Sequence, residues 1–93
     1  MLTGDDDGSP YLEYSGNVCV LQYPNVNYIQ GQKVPDELMH TSVGSIWTTV
    51  TSPESFADEY RIYIEPNGYI GLQKNGLTVT TKTKIRGQIV WIK

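Results

Sequence analysis

The groups in this 93-residue sequence that could carry acid–base, nucleophilic or metal chemistry are one histidine, His40, one cysteine, Cys19, and ten carboxylates. A serine–histidine–acid relay would have to be built on His40, yet no serine stands in the Gly-x-Ser-x-Gly setting that exposes a nucleophile on a strained turn. His40 reads instead as a loop histidine beside Thr41 and Ser42. A glycosidase-like carboxylate pair could be drawn from Asp36, Glu37, Glu54, Asp58 or Glu59, but these acids fall in loop segments with nothing to raise one pKa above another. The run Asp5-Asp6-Asp7 lacks the alternating acidic spacing of a calcium loop, and one Cys with one His cannot build a zinc site. The glycines are spread through turns rather than gathered around a phosphate. The expectation is a protein with no catalytic residues, no metal and no cofactor.

What remains is recognition through aromatic and polar surface. Seven tyrosines and two tryptophans offer rigid, amphipathic area. Rings flanked by hydroxyl and carboxylate groups suit sugars, whose C–H faces stack and whose hydroxyls hydrogen-bond. The stretch Tyr60-Arg61-Ile62-Tyr63-Ile64-Glu65 alternates, which places Tyr60, Ile62 and Ile64 on one face and Arg61, Tyr63 and Glu65 on the other. Trp47 with Thr49 forms a second outward pair. The candidate ligand-binding residues are therefore Trp47, Arg61, Tyr63 and Glu65. The plainer alternatives are a core position for Trp47 and an ordinary solvated or interface face for the other three.

The elements that must position these residues follow from composition. Eight Val, eight Ile and nine Thr stand against a single alanine, Ala57, so pleated surfaces are favoured and a helical bundle is excluded. Tyr11 to Tyr14 and Val18 to Tyr23 read as a hairpin around Ser15-Gly16-Asn17, ended by Pro24-Asn25. A weak strand follows over Tyr28 to Gln30. Val34 to Met39 reads as a loop or a single helical turn packing Leu38 and Met39 inward, and Val43 to Thr51 as a strand. Ser52-Pro53-Glu54 can start no more than a one-turn helix or wide loop, with Phe56 plugging one end of the core. After the turn Glu65-Pro66-Asn67-Gly68, Tyr69 to Gln73 returns with Ile70 and Leu72 inward. Asn75-Gly76 turns again, Leu77 to Thr81 is a short strand and Lys84 to Lys93 the last. Seven or eight short strands at this spacing predict a small antiparallel β-sandwich or jelly-roll-like domain over residues 11–93, behind a flexible acidic lead-in over residues 1–10.

In the last strand Ile89, Val90, Trp91 and Ile92 are apolar in succession, so both its faces need cover. A chain this short, without disulfide or zinc, has a thin stability margin. A loop of the same chain or another subunit would supply the missing cover; Trp91 reads as core or subunit interface, and Ile89 and Trp91 are the expected interface residues if the chain assembles. Cys19 reads as a small core residue. Residues 1–60 hold nine acids against Lys33, a net −8, whereas residues 61–93 carry a net +5. Neutralisation across adjacent strands is the plain reading, and an acidic face meeting the basic face of a neighbouring copy the sharper one. Few basic residues and no helix to carry them disfavour nucleic acid. No apolar run is long enough to insert in a membrane, and the first residues lack the pattern of a signal peptide.

Several segments together resemble the C-terminal head domains of bacteriophage tail-fibre and baseplate receptor-binding proteins. They are Gly16-Asn17-Val18 opening a strand, the loop Val34-Pro35-Asp36-Glu37-Leu38, the run Ile64-Glu65-Pro66-Asn67-Gly68-Tyr69-Ile70, and the ending Ile85-Arg86-Gly87-Gln88-Ile89-Val90-Trp91-Ile92. The resemblance covers residues 11–93. It departs from the family where Leu38-Met39-His40 replaces a proline-rich continuation and where no shaft of repeats precedes the domain, which points to a piece of a longer fibre or a stand-alone product. It implies a homotrimeric β-sandwich, made in a bacterial host cytoplasm and carried on the virion as part of a tail or baseplate. Its task would be adhesion to a host cell-surface saccharide or surface protein. Two other readings stand beside it: a purely structural trimeric cap or decoration domain of a virion, and a cellular carbohydrate-binding module.

Overall fold

Wherever β-branched and aromatic residues alternate, the chain extends, and it turns at Gly, Asn and Pro. The computed structural model describes residues 8–93, so the Asp5-Asp6-Asp7 run lies outside the described residues. Among the described residues there are seven strands: β1 (Tyr11–Ser15), β2 (Val18–Tyr28), β3 (Ile46–Val50), β4 (Tyr60–Ile64), β5 (Ile70–Lys74), β6 (Leu77–Thr78) and β7 (Thr83–Ile92). They form two antiparallel sheets, one of order β1-β2-β7 and the other β3-β4-β5-β6. A small β-sandwich results. Pro10, just ahead of β1, is already buried. Among the described residues no helix is long and apolar enough to cross a membrane.

β2 runs further than the sequence predicts. Pro24-Asn25 does not end it; the residues opposite β7 shift there from Pro24↔Arg86 to Val26↔Ile85, and the strand continues through Tyr28. A bulge is where a strand tolerates proline, because the missing N–H breaks no ladder bond, and Asn25 supplies the left-handed φ of 62°. Conversely, β3 is shorter than expected: Val43 lies fully exposed ahead of it. The predicted turn over Val34 to Met39 is a single 3-10 turn, Asp36–Leu38, with Leu38 buried. Phe56 does not plug the core; it is 81% exposed on a loop, because the Ser52–Glu59 connection forms turns across the surface rather than a helix that could aim it inward.

The two sheets are tied at one side. Thr51 and Arg86 exchange backbone hydrogen bonds of 3.0 and 2.7 Å, and the Ser52 hydroxyl donates to the Lys84 carbonyl at 2.7 Å. Between the sheets lie Cys19, Leu21 and Tyr23 of β2, Ile62 and Ile64 of β4, Leu72 of β5, and Ile85, Ile89 and Trp91 of β7. This corrects the interface assignment for Ile89 and Trp91. Both are covered by their own chain, and the Trp91 indole N–H donates to the Leu38 carbonyl at 2.6 Å. The reason is pleat: in a ten-residue strand paired along its length with β2, alternate residues must turn outward, and Val90 and Ile92 do so, 51% and 60% exposed.

The candidate binding face

The outer face of the four-stranded sheet is assembled by register. Trp47 lies opposite Tyr63, which lies opposite Gly71; Thr49 lies opposite Arg61, then Gln73, then Thr78. Cross-strand neighbours on one face sit close enough for their side chains to interact. The Trp47 and Tyr63 rings do, with centroids 4.4 Å apart and planes tilted by 31°. Trp47 remains 47% exposed, which resolves the choice between core and surface in favour of the surface.

Gly71 allows the Tyr63 ring to lie down. A Cβ at that position would fall 2.0 Å from Tyr63 Cζ and 2.2 Å from its hydroxyl oxygen. Any side chain there would lift the ring off the sheet. With Gly71, Tyr63 instead walls a groove of about 210 Å³ along the edge of β5, shared with Tyr28, Gln30, Glu65, Tyr69 and Thr78. The segment after β2 runs beside that edge. Ile70 N–H donates to the Gln32 carbonyl at 3.0 Å, and the Tyr28 hydroxyl donates to the Ile70 carbonyl at 3.3 Å. Burial, reinforced by Tyr63 and Glu65 nearby, pushes the Tyr28 phenol up to about 12, so it stays neutral.

Of the four predicted site residues, the structure brings Trp47, Tyr63 and Glu65 together. Arg61 shares the face but lies one step along the strand, where it pairs with Glu59 at 3.5 Å rather than meeting the groove. Tyr28, Tyr69, Gln30 and Gly71 were missed as site residues. For Tyr69 and Gly71 a signal existed: once Ile70 and Leu72 point inward, their neighbours point outward. For Tyr28 there was none, because its place beside β5 depends on a contact 42 positions away in the chain.

Other polar groups are structural. His40 is buried; its Nε2 is 3.0 Å from the Ile64 carbonyl and its Nδ1 accepts the Ser42 N–H at 3.2 Å. An accepting Nδ1 puts the proton on Nε2, which donates to the carbonyl, so both ring nitrogens are occupied. A cleft of about 490 Å³ lies between the Glu54 loop and the β5–β6 hairpin. Beside it Asp58 accepts from Ser55 and from Asn75 (2.9 Å) and pairs with Lys74 at 3.4 Å. Those hydrogen bonds hold its carboxyl below the usual range and pin the loop to the hairpin. Two acids of the first part of the chain, Asp58 and Glu59, thus meet bases of the second, from the loop before β4 rather than across neighbouring strands. Among the described residues no group of three His, Cys, Asp or Glu side chains gathers as a metal site.

Neither protein-family models, nor curated proteins, nor solved structures provide a match to this chain.

Proposed function

We propose that the chain is a non-catalytic recognition domain, the receptor-binding head of a bacteriophage tail protein, and that it binds a host cell-surface saccharide on the outer face of its four-stranded sheet. The observation that carries the reading is the exposed Trp47–Tyr63 stack. Two aromatic rings held on a sheet, rather than on mobile loops, form an aromatic surface whose ordering cost is met on folding and not on binding. The adjacent groove supplies hydroxyl, amide and carboxylate groups to fix orientation, as sugar recognition requires.

A second reading, a structural trimeric cap, is favoured by the aliphatic pairs Val18↔Ile92 and Val20↔Val90 on the outer face of the other sheet. The two readings separate on one experiment. Screening a glycan array and titrating the best hit by tryptophan fluorescence should give saturable binding that Trp47→Ala lowers at least about tenfold, since a stacked aromatic is worth over 1 kcal/mol. A cap would bind no glycan, and the variant would change nothing.

A further inference from the structure

The groove beside the aromatic stack has a chemical bias that the platform alone does not explain. Its lining holds three tyrosines and one carboxylate, Glu65, and no lysine or arginine. The nearby cations are occupied: Lys33 pairs with Asp36 at 3.2 Å and Arg61 with Glu59 at 3.5 Å. Glu65 makes no ion pair among the described residues. The Tyr28 hydroxyl spends its proton on the Ile70 carbonyl, so toward the groove its oxygen can only accept. Lys33 Nζ lies 5.9 Å from the Tyr69 ring centroid, drawn away from the groove by Asp36.

We propose that this groove receives the ammonium group of an amino sugar, with Glu65 as its counter-ion and the Tyr28 oxygen as a further acceptor, while the pyranose ring lies on Trp47 and Tyr63. The inference rests on the saccharide reading and narrows it from sugars in general to cationic, non-acetylated amino sugars. An ammonium carries three donors and no acceptor, which suits the Glu65 carboxylate and the accepting Tyr28 oxygen better than a neutral hydroxyl or a bulky N-acetyl group does. The volume agrees. At about 210 Å³ the groove is smaller than the roughly 300–1,000 Å³ of sites that engulf drug-sized ligands, and suits one substituent with its ring outside. A hard metal ion is a poor alternative occupant, because one carboxylate falls far short of the oxygen ligands calcium demands.

The test compares three disaccharides by isothermal titration and by amide shifts at Gly71 and Tyr63: the β1,4-linked glucosamine dimer, its N-acetylated form, and cellobiose. The glucosamine dimer should bind about tenfold tighter than cellobiose, and Glu65→Gln should bring the two within about twofold. Glu65 makes no side-chain hydrogen bond among the described residues, so the variant keeps the fold, which circular dichroism checks. Equal affinities for the three sugars, or a preference that survives Glu65→Gln, would overturn the ammonium site and leave the saccharide platform standing. Absence of binding by all three at millimolar concentration would overturn both.

Discussion

The two outer faces of this sandwich are built on the same pleat and carry different side chains. On the three-stranded sheet Val18, Val20, Val90 and Ile92 meet across β2 and β7, bordered on β1 by Ser15 and Glu13. On the four-stranded sheet the corresponding ground is held by Trp47, Tyr63 and Tyr69 among Thr49, Arg61, Gln73 and Thr78. An aliphatic patch has one way to lower its free energy, which is to exclude water against another apolar surface. An aromatic one with hydroxyl and indole tips stays partly hydrated and still grips a ligand. On the reading proposed above, assembly belongs to one face and recognition to the other, and the two can be broken separately.

The largest effect lies just beneath the aliphatic face. Trp91→Ala removes a side chain 5% exposed and leaves the Leu38 carbonyl without its donor. It should cost about 3–5 kcal/mol, most of the stability expected of so small a domain. Urea unfolding followed by circular dichroism measures it. In the same strand Val90→Thr with Ile92→Thr keeps the β-branching and should move stability by no more than about 0.5 kcal/mol, while any self-association seen by sedimentation weakens. If the outward pair proved as costly as Trp91, the division of β7 into a folding face and an assembly face would be wrong.

Gly71 is the corresponding test of the aromatic face. Gly71→Val places a branched side chain where the Tyr63 ring now lies. The expected cost is about 1–3 kcal/mol, typical of a forced repacking, together with loss of the near-ultraviolet signal of the Trp47–Tyr63 pair and of sugar binding. Unchanged near-ultraviolet ellipticity would mean that the stack does not depend on the glycine.

How much of this could be read from the sequence depended on the range of the interaction. β4 and its turn were legible because Tyr60 to Glu65 alternates without interruption and Pro66-Asn67-Gly68 follows at once; Gly68 takes the positive φ, 93°. The pairing of Trp47 with Tyr63 was not legible, since β3 and β4 are joined by a long loop that fixes no register. The bulge at Pro24-Asn25 looked like an end because proline is locally a breaker, and only the partner strand β7 shows otherwise. Ile89 and Trp91 were sent to an interface by the same limitation. Four apolar residues in succession show that both faces of a strand are apolar, but which pair the chain itself covers depends on where the second sheet lies. A polar Thr or Lys at 90 or 92 would have removed the ambiguity.

The smallest effect concerns the join between the sheets, where two buried tyrosines differ in one hydrogen bond. Tyr28 ends β2 in one sheet and donates to Ile70 of the other, and its pKa is raised from the ordinary 10.0 to about 12. A phenol that ionises more easily in the unfolded chain than in the folded one contributes its full stability below pH 10, and that contribution is lost as the pH rises from 10 toward 12. Tyr23 is raised as well, chiefly by burial, but its hydroxyl has no partner among the described residues. At neutral pH, Tyr28→Phe should therefore cost about 1 kcal/mol, the net worth of a hydrogen bond, whereas Tyr23→Phe should be neutral or slightly stabilising because it removes an unpaired polar atom. On alkaline titration each variant should unfold less steeply than the parent, since each deletes one group that binds its proton more tightly when folded. A Tyr28→Phe protein that matched the parent at pH 7 and kept the parent's alkaline slope would show that the Tyr28–Ile70 bond does not hold the two sheets together.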